Sequence, residues 1–255
     1  MRESDIKYLA GLFDADGSCS LRFNKNNRLH LRLQIAASDA VSRNHEILYW
    51  LRDTFGGVVN HHATLRNSTV KVWVIQSRRE LELLIPRLVK HLVIKGSSLA
   101  GTWNLYKVYG GRPLEDHEVQ RIKEHHSIIR KLNGPVKPKN HPTWAWVAGY
   151  IDGDGCLFNR YYAKYRSHQM RVEATAHVND LCGLNLLQKA FGGDIRLKSG
   201  SDSVYVWSRN LGYRDSSFAV KFLRKLVRHL KIKRYKAEQI LANHSQRLSV
   251  SDPTG

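Results

Sequence analysis

Residues 8–19 read YLAGLFDADGSC, and residues 146–157 read WVAGYIDGDGCL. Aligned on Asp16 and Asp154, the two stretches lie 138 positions apart. Further matches follow in the same order: Phe55-Gly56-Gly57 with Phe191-Gly192-Gly193, Val72-Trp73 with Val206-Trp207, and residues 88–95 with 226–233. Asp16 precedes Lys95 by 79 positions, and Asp154 precedes Lys233 by the same 79. Ordered matches at equal spacing define a duplicated unit of roughly 110 residues.

Each copy has one coarse layout. A helix over Ser4–Asp14 or Thr143–Asp152 opens it, with Ser4 and Thr143 as candidate N-caps. Strict apolar/polar alternation over residues 29–35 and 170–177 marks strands with one buried and one exposed face. An amphipathic helix ends at each Phe-Gly-Gly. Two strands follow (58–65 with 70–76; 194–199 with 203–208), then closing helices (79–92 and 96–108; 215–229 and 234–244). The expected class is α+β: two tandem α-β-β-α-β-β-α units, each an antiparallel sheet with helices on one face. The expected division is 1–110, a linker at 111–142 with a helix over Glu115–Leu132, and 143–255. Three prolines and a glycine in 133–142 exclude a helix there, though its lysines could touch phosphate.

Charge points to the partner. Lys+Arg number 41 and Asp+Glu 22 in 255 residues, a formal charge of +19. Residues 1–143 carry 23 basic and 13 acidic side chains, and residues 144–255 carry 18 and 9, so the excess is +10 and +9. Such an even spread excludes a basic tail on a neutral enzyme and favours a polyanion, most simply nucleic acid. There is no apolar run of the roughly 18 residues a membrane span needs. The charged start shows no signal peptide. Cys19, Cys156 and Cys182 form no C-x-x-C, so neither a disulfide framework nor a Cys-rich zinc site is expected, and the expected compartment is intracellular and reducing.

Asp16-Gly17 and Asp154-Gly155 stand where each opening helix should stop, with glycine at the C′ position. A carboxylate there opposes the helix dipole, so something positive should offset it. Mg²⁺ fits, taking each carboxylate together with unpaired terminal carbonyls of Ala15 and Gly153. Gly11/Ala15 and Gly149/Gly153 are i, i+4 pairs that leave a bare stripe on each helix. Two stripes packed together would bring Asp16 and Asp154 side by side, where metal relieves their repulsion. Paired divalent ions beside a polyanion channel imply phosphodiester hydrolysis by an in-line water. Asp14 and Asp152 read as structural caps.

LAGLFDADG (9–17) and VAGYIDGDG (147–155) resemble the two copies of the LAGLIDADG motif of homing endonucleases, in the monomeric, pseudo-symmetric branch. The resemblance implies saddle-shaped sheets straddling double-stranded DNA in the major groove. It implies Mg²⁺-dependent cleavage of a long, asymmetric target across the minor groove, leaving short 3′ overhangs, by an intron-encoded enzyme. Mn²⁺ would substitute for Mg²⁺, and Ca²⁺ would bind without supporting cleavage. The second acidic residue of each motif, Asp16 and Asp154, would bind metal, and a late basic residue, Lys95 and Lys233, would assist. Water-positioning candidates are Ser38 or Asp39, and His177. Organellar, archaeal and bacterial hosts all remain open.

Exposed strand positions are the candidate DNA contacts. In the first half they are Ser18, Ser20, Arg22, Asn24, Arg28, His30, Arg32, Gln34, Asn60 and His62, with Arg66 and Lys71 near a turn. In the second they are Arg160, Tyr162, Lys164, Arg166, Arg171, Glu173, Thr175, His177, Arg196 and Lys198. Arg suits guanine, Asn and Gln suit adenine, and Glu can accept from cytosine. The competing expectations are an intron RNA maturase, alone or combined with nuclease activity, and a catalytically silent DNA-binding protein of the same fold.

Overall fold

A computed structural model describes residues 1–38, 44–65, 68–137, 141–162, 167–211 and 216–248. The first half runs α1 (Glu3–Asp16), β1 (Gly17–Phe23), β2 (Leu29–Ser38), α2 (Asn44–Phe55), β3 (Val58–Leu65), β4 (Ser68–Ile75), α3 (Arg78–Val89) and α4 (Gly96–Tyr109). After α5 (Asp116–Ile129) the order repeats as α6 (Trp144–Asp154), β5 (Gly155–Tyr162), β6 (Ser167–His177), α7 (Cys182–Phe191), β7 (Asp194–Leu197), β8 (Val204–Leu211), α8 (Ser216–Val227) and α9 (Arg234–Leu248). The fold is mixed α/β, with one antiparallel four-stranded sheet per half. The orders β1-β2-β4-β3 and β5-β6-β8-β7 are the same path drawn twice.

Strand parity decides which face meets the helices. Leu29, Leu31, Leu33 and Ile35 of β2 are buried, as are Met170, Val172, Ala174 and Ala176 of β6. The repeated tryptophans anchor both sheets alike. Trp73 Nε1 donates to Gly56 O at 2.9 Å, and Trp207 Nε1 to Gly192 O at 2.9 Å. Buried residues of both halves join in one apolar cluster. No described helix is long and apolar enough to cross a membrane.

Between the halves, α1 and α6 pack backbone to backbone. A methyl added at Gly11 would strike the Trp146 carbonyl, and one added at Gly149 would strike the Tyr8 carbonyl. Only glycine permits that approach.

The structure corrects three local expectations. Arg2, not Ser4, is the N-cap of α1; it has no side-chain cap bond, and its guanidinium pairs with Asp5 at 2.9 Å instead. Thr143 does cap α6, with its Oγ1 accepting from Trp146 N at 3.2 Å. Both motif helices run two residues further than expected, so Asp16 and Asp154 are their last helical residues. Gly17 and Gly155 are not left-handed terminators. Their φ values of −76° and −98° feed the chain straight into β1 and β5.

Candidate active site and nucleic-acid interface

The first aspartate of each motif builds the frame. Asp14 accepts from the backbone N–H groups of Val93 (2.7 Å), Ile94 (3.1 Å) and Lys95 (2.9 Å). Asp152 accepts from Lys231 (2.7 Å), Ile232 (3.1 Å) and Lys233 (2.8 Å). Each also takes one donor from the opposite half: Trp146 Nε1 to Asp14 at 2.9 Å, and Tyr8 OH to Asp152 at 2.7 Å. Both carboxylates are only 3% exposed, so all their oxygens are spent within the protein. Burial lifts the Asp14 carboxyl above the ordinary range, and the backbone donors hold it back.

Those bonds aim the two lysines. Lys95 Nζ donates to the carbonyls of Phe13 (3.0 Å), Ala15 (3.1 Å) and Gly17 (2.8 Å). Lys233 Nζ donates to Ile151 O (2.8 Å), Asp152 O and Gly153 O (3.4 Å). Each ammonium therefore plugs the negative end of its own motif helix. The carbonyls of Ala15 and Gly153 are not unpaired, as the sequence led us to expect. Burial lowers both lysine pKa values, opposed chiefly by Asp14 for Lys95 and by Asp152 for Lys233.

The second aspartates come together at the shared end of the helix pair. Asp16 Oδ2 lies 2.9 Å from where a Cβ on Gly153 would stand, so Asp16 abuts the residue before Asp154. Burial pushes Asp154 up to about 6, with the neighbouring Asp16 charge adding to it and Lys95 and Lys233 opposing. Asp16 is raised by burial and lowered by Lys233 and Lys95, although its edge stays open to solvent. The donor set suits a hard cation. It consists of two acid groups; no group of three or more His, Cys, Asp or Glu side chains that could hold a metal ion occurs among the described residues. The remaining ligands would be carbonyls, water and phosphate oxygens, as Mg²⁺ prefers.

A groove lies on either side. One, of about 730 Å³, is lined by Asp16, residues 35–38, Gly153, Lys233 and Lys236. The other, of about 790 Å³, is lined by Asp154, Arg171, Glu173, Thr175, Arg196 and Lys198.

Register sorts the candidate contacts. Ser18, Ser20 and Arg22 pair with Gln34, Arg32 and His30, all on the face away from the helices. Asn60 joins them opposite Val72. In the second half Arg171, Glu173, Thr175 and His177 share a face with Val206, Arg196 and Lys198. Lys71 does not belong to this set. It pairs with Ala37, on the parity of the buried Ile35, and its ammonium reaches Tyr49 OH of α2 at 3.2 Å. A register shift between His61 and Ala63 separates it from the turn. Asn24 holds its own turn, its Oδ1 accepting from Asn26 N (3.0 Å) and Arg28 N (2.9 Å). Thr175 Oγ1 donates to Asp154 O at 3.2 Å, so it touches the end of α6. His177 Nδ1 accepts from Asn179 N at 3.3 Å, and the β1–β2 and β5–β6 registers set His177 and Ser38 at equivalent positions. Asp39, Arg66, Lys164 and Arg166, and the side chains of His62, Arg160 and Tyr162, lie outside the described residues.

Sequence reasoning missed Tyr8 and Trp146. The signal was present: both are aromatics with a polar hydrogen at the same repeat position. It also missed Asp180, which accepts from linker Asn133 at 2.8 Å and bears electrostatically on both Lys95 and Asp154.

A duplicated unit, a glycine-packed helix pair and two terminal aspartates are what the two motif copies led us to expect. Residues 9–100 match the family model described as LAGLIDADG endonuclease. That match covers the first half, and the second half repeats the same sheet order and the same pair of aspartates. Three solved structures share the architecture across nearly the whole chain. I-SmaMI, bound to uncleaved DNA target in the presence of calcium ions, is 17% identical with a TM-score of 0.69, covering 97% of this chain and 94% of that one. The LAGLIDADG homing endonuclease I-GzeII in complex with DNA target is 16% identical, TM-score 0.70, covering 98% and 92%. The LAGLIDADG meganuclease I-AabMI bound to uncleaved DNA is 20% identical, TM-score 0.71, covering 96% and 92%. At these identities the likeness is one of fold. No curated protein matches the chain.

Proposed function

We propose that this protein is a monomeric, site-specific homing endonuclease that hydrolyses both strands of a long, asymmetric DNA target across the minor groove, leaving short 3′ overhangs. The observation that supports it best is the meeting of Asp16 and Asp154 at the ends of two packed helices, between two polar strand faces. The family match and the DNA-bound neighbours of like fold support the same reading.

In this reading Asp16 and Asp154 hold divalent metal, and the second lone pairs of the Ala15 and Gly153 carbonyls, whose first partners are Lys95 and Lys233, are further oxygens. Mg²⁺ is the proposed ion, Mn²⁺ its substitute, and Ca²⁺ a binding-only stand-in. Bound metal would supply Lewis acidity, easing loss of a proton from water and neutralising phosphate charge. Lys95 and Lys233 bring fixed positive charge beside the two aspartates, where an ammonium offsets charge gathering on the phosphate in the transition state. Asp14 and Asp152 hold those lysines in place and touch no substrate. Ser38 and His177 stand at equivalent strand ends as water-positioning candidates. The polar strand faces track phosphates and read bases, in one monomer that supplies both half-sites. An intron origin belongs to the same proposal; an intron RNA maturase, alone or combined with nuclease activity, is the alternative to it.

Cleavage of a plasmid library carrying randomised inserts tests it. The expected result is linearisation of a subset of plasmids with Mg²⁺ or Mn²⁺ and none with Ca²⁺ alone. Tight, selective DNA binding without cutting in any of these ions would leave a silent DNA-binding protein instead.

A further inference from the structure

We propose that Glu173 is a positioning residue for base reading: it holds Arg171 and Arg196 as a guanidinium pair that selects guanine at two positions of the half-site bound by the second sheet. The inference rests on the DNA-recognition reading above. Glu173 Oε1 is 3.0 Å from an Arg171 guanidinium nitrogen and 3.8 Å from one of Arg196. The carboxylate lies between the two, its side chain 16% exposed, while those of Arg171 and Arg196 are 32% and 60% exposed. The anchor is thus sheltered and the arginine heads face the groove. Arg171 is braced on its other side by the Phe158 ring, 5.3 Å from centroid to guanidinium carbon.

Neighbours on the sheet fix the direction of this unit. Glu173 pairs with Ser208, which pairs with Asp194, and Arg196 pairs with Val206. All lie on the face away from the helices, and Glu173, Arg196 and Val206 line the groove that begins at Asp154. A carboxylate already engaged with two guanidiniums is a poor acceptor for a cytosine amino group. Its effect passes through the arginines instead, whose fork matches the O6 and N7 of guanine. Preorganised side chains lose less freedom on binding, which sharpens discrimination.

The first half has no such device. There Gln34 occupies the position of Glu173, Arg32 that of Arg171, and Asn60 that of Arg196. Arg32 Nε and its cross-strand neighbour Ser20 Oγ are buried without a partner among the described residues. The two sheets therefore read by different means, one with a carboxylate-braced arginine pair and one with an amide, Gln34, at the carboxylate's place.

The test begins with selection of a preferred duplex from a randomised library. Binding is then measured to every single-substituted version of that duplex. Wild type should prefer guanine at two positions of one half-site. Glu173→Gln, which keeps the shape and removes the charge, should lose about tenfold discrimination at both positions and leave the rest unchanged. Asp194→Asn removes a charge from the same face without touching the arginines, and should leave both preferences intact. Three results would overturn the proposal: guanine preference retained in Glu173→Gln, a lost preference that is for cytosine, or equal and uniform changes in the two variants. A wild-type protein that selects no duplex sequence would instead remove the DNA-recognition reading beneath it.

Discussion

At the scale of single residues, the four motif aspartates divide into two chemistries by burial. Asp14 and Asp152 are sealed by backbone donors, while Asp16 and Asp154 keep access to the grooves. Asp154, raised to about 6, has a stability consequence with a definite sign. Its native pKa exceeds the ordinary carboxylate value, so the native state binds the extra proton between roughly pH 4 and 6. Stability from this group is present below that window and lost as pH rises through it. Metal-free Asp154→Asn should therefore gain about 1–3 kcal/mol over wild type at pH 7, shrinking towards zero near pH 4. Denaturant melts at both pH values measure this; a variant less stable at pH 7 would contradict it. Mg²⁺ should raise the wild-type Tm more than that of the variant.

Lys95 offers a second test at this scale. Lys95→Met removes the ammonium shared by the carbonyls of Phe13, Ala15 and Gly17, of which Phe13 O keeps the Gly17 N–H, and takes away the nearby positive charge. The expected cost is about 1–3 kcal/mol of stability and roughly 10²-fold in single-turnover cleavage. A stability loss with unchanged cleavage would make Lys95 a cap alone. Equal spacing of aspartate and lysine in the two halves made this pair legible in the sequence. Its grip on the carbonyls was not, because three-dimensional pairing of a helix end with a loop 78 to 82 residues away leaves no local pattern.

At the scale of elements, the helix pair decides the site. Gly11→Ala would drive a methyl into the Trp146 carbonyl and push α1 from α6. Overpacking of this kind costs typically 1–3 kcal/mol, about what a core mismatch costs, and here it should also separate the two aspartates. Cleavage should fall more than binding, since the strand faces are untouched; a fully active variant would contradict the close packing. The stripe of small residues announced this contact in advance. Strand faces were legible wherever period-two alternation ran unbroken, as in β2. Lys71 was misplaced because on β4 it shares the parity of Trp73 and Ile75, whose side chains are buried on the helix side, and nearness to a turn does not override that alternation. The helix ends were misjudged because Gly17 and Gly155 serve close packing against Phe13 and Ile151 and not a left-handed turn.

At the scale of the whole molecule, the +19 charge divides evenly because each half contributes one basic arm. Binding of the selected duplex should weaken steeply with salt, by about 10³-fold or more between 50 and 200 mM. A flat salt response would contradict phosphate tracking. The halves share topology and not surface, so the target should lack a palindrome: Gln34 stands where the second half has Glu173, and Asn60 where it has Arg196. The repeat made this architecture legible from one chain. The identity of the bases was not, since side chains on a strand do not fix their partners until the DNA bends onto them.

The central claim is that Asp16 and Asp154 together form one metal-loaded cleavage site served by both halves. Strand-resolved cleavage of the selected duplex in Mg²⁺, by wild type and by Asp16→Asn, tests it most directly. The account predicts a double-strand break by wild type, and loss of cleavage of at least one strand in the variant with binding retained. Both strands cut by Asp16→Asn at the wild-type rate would contradict it.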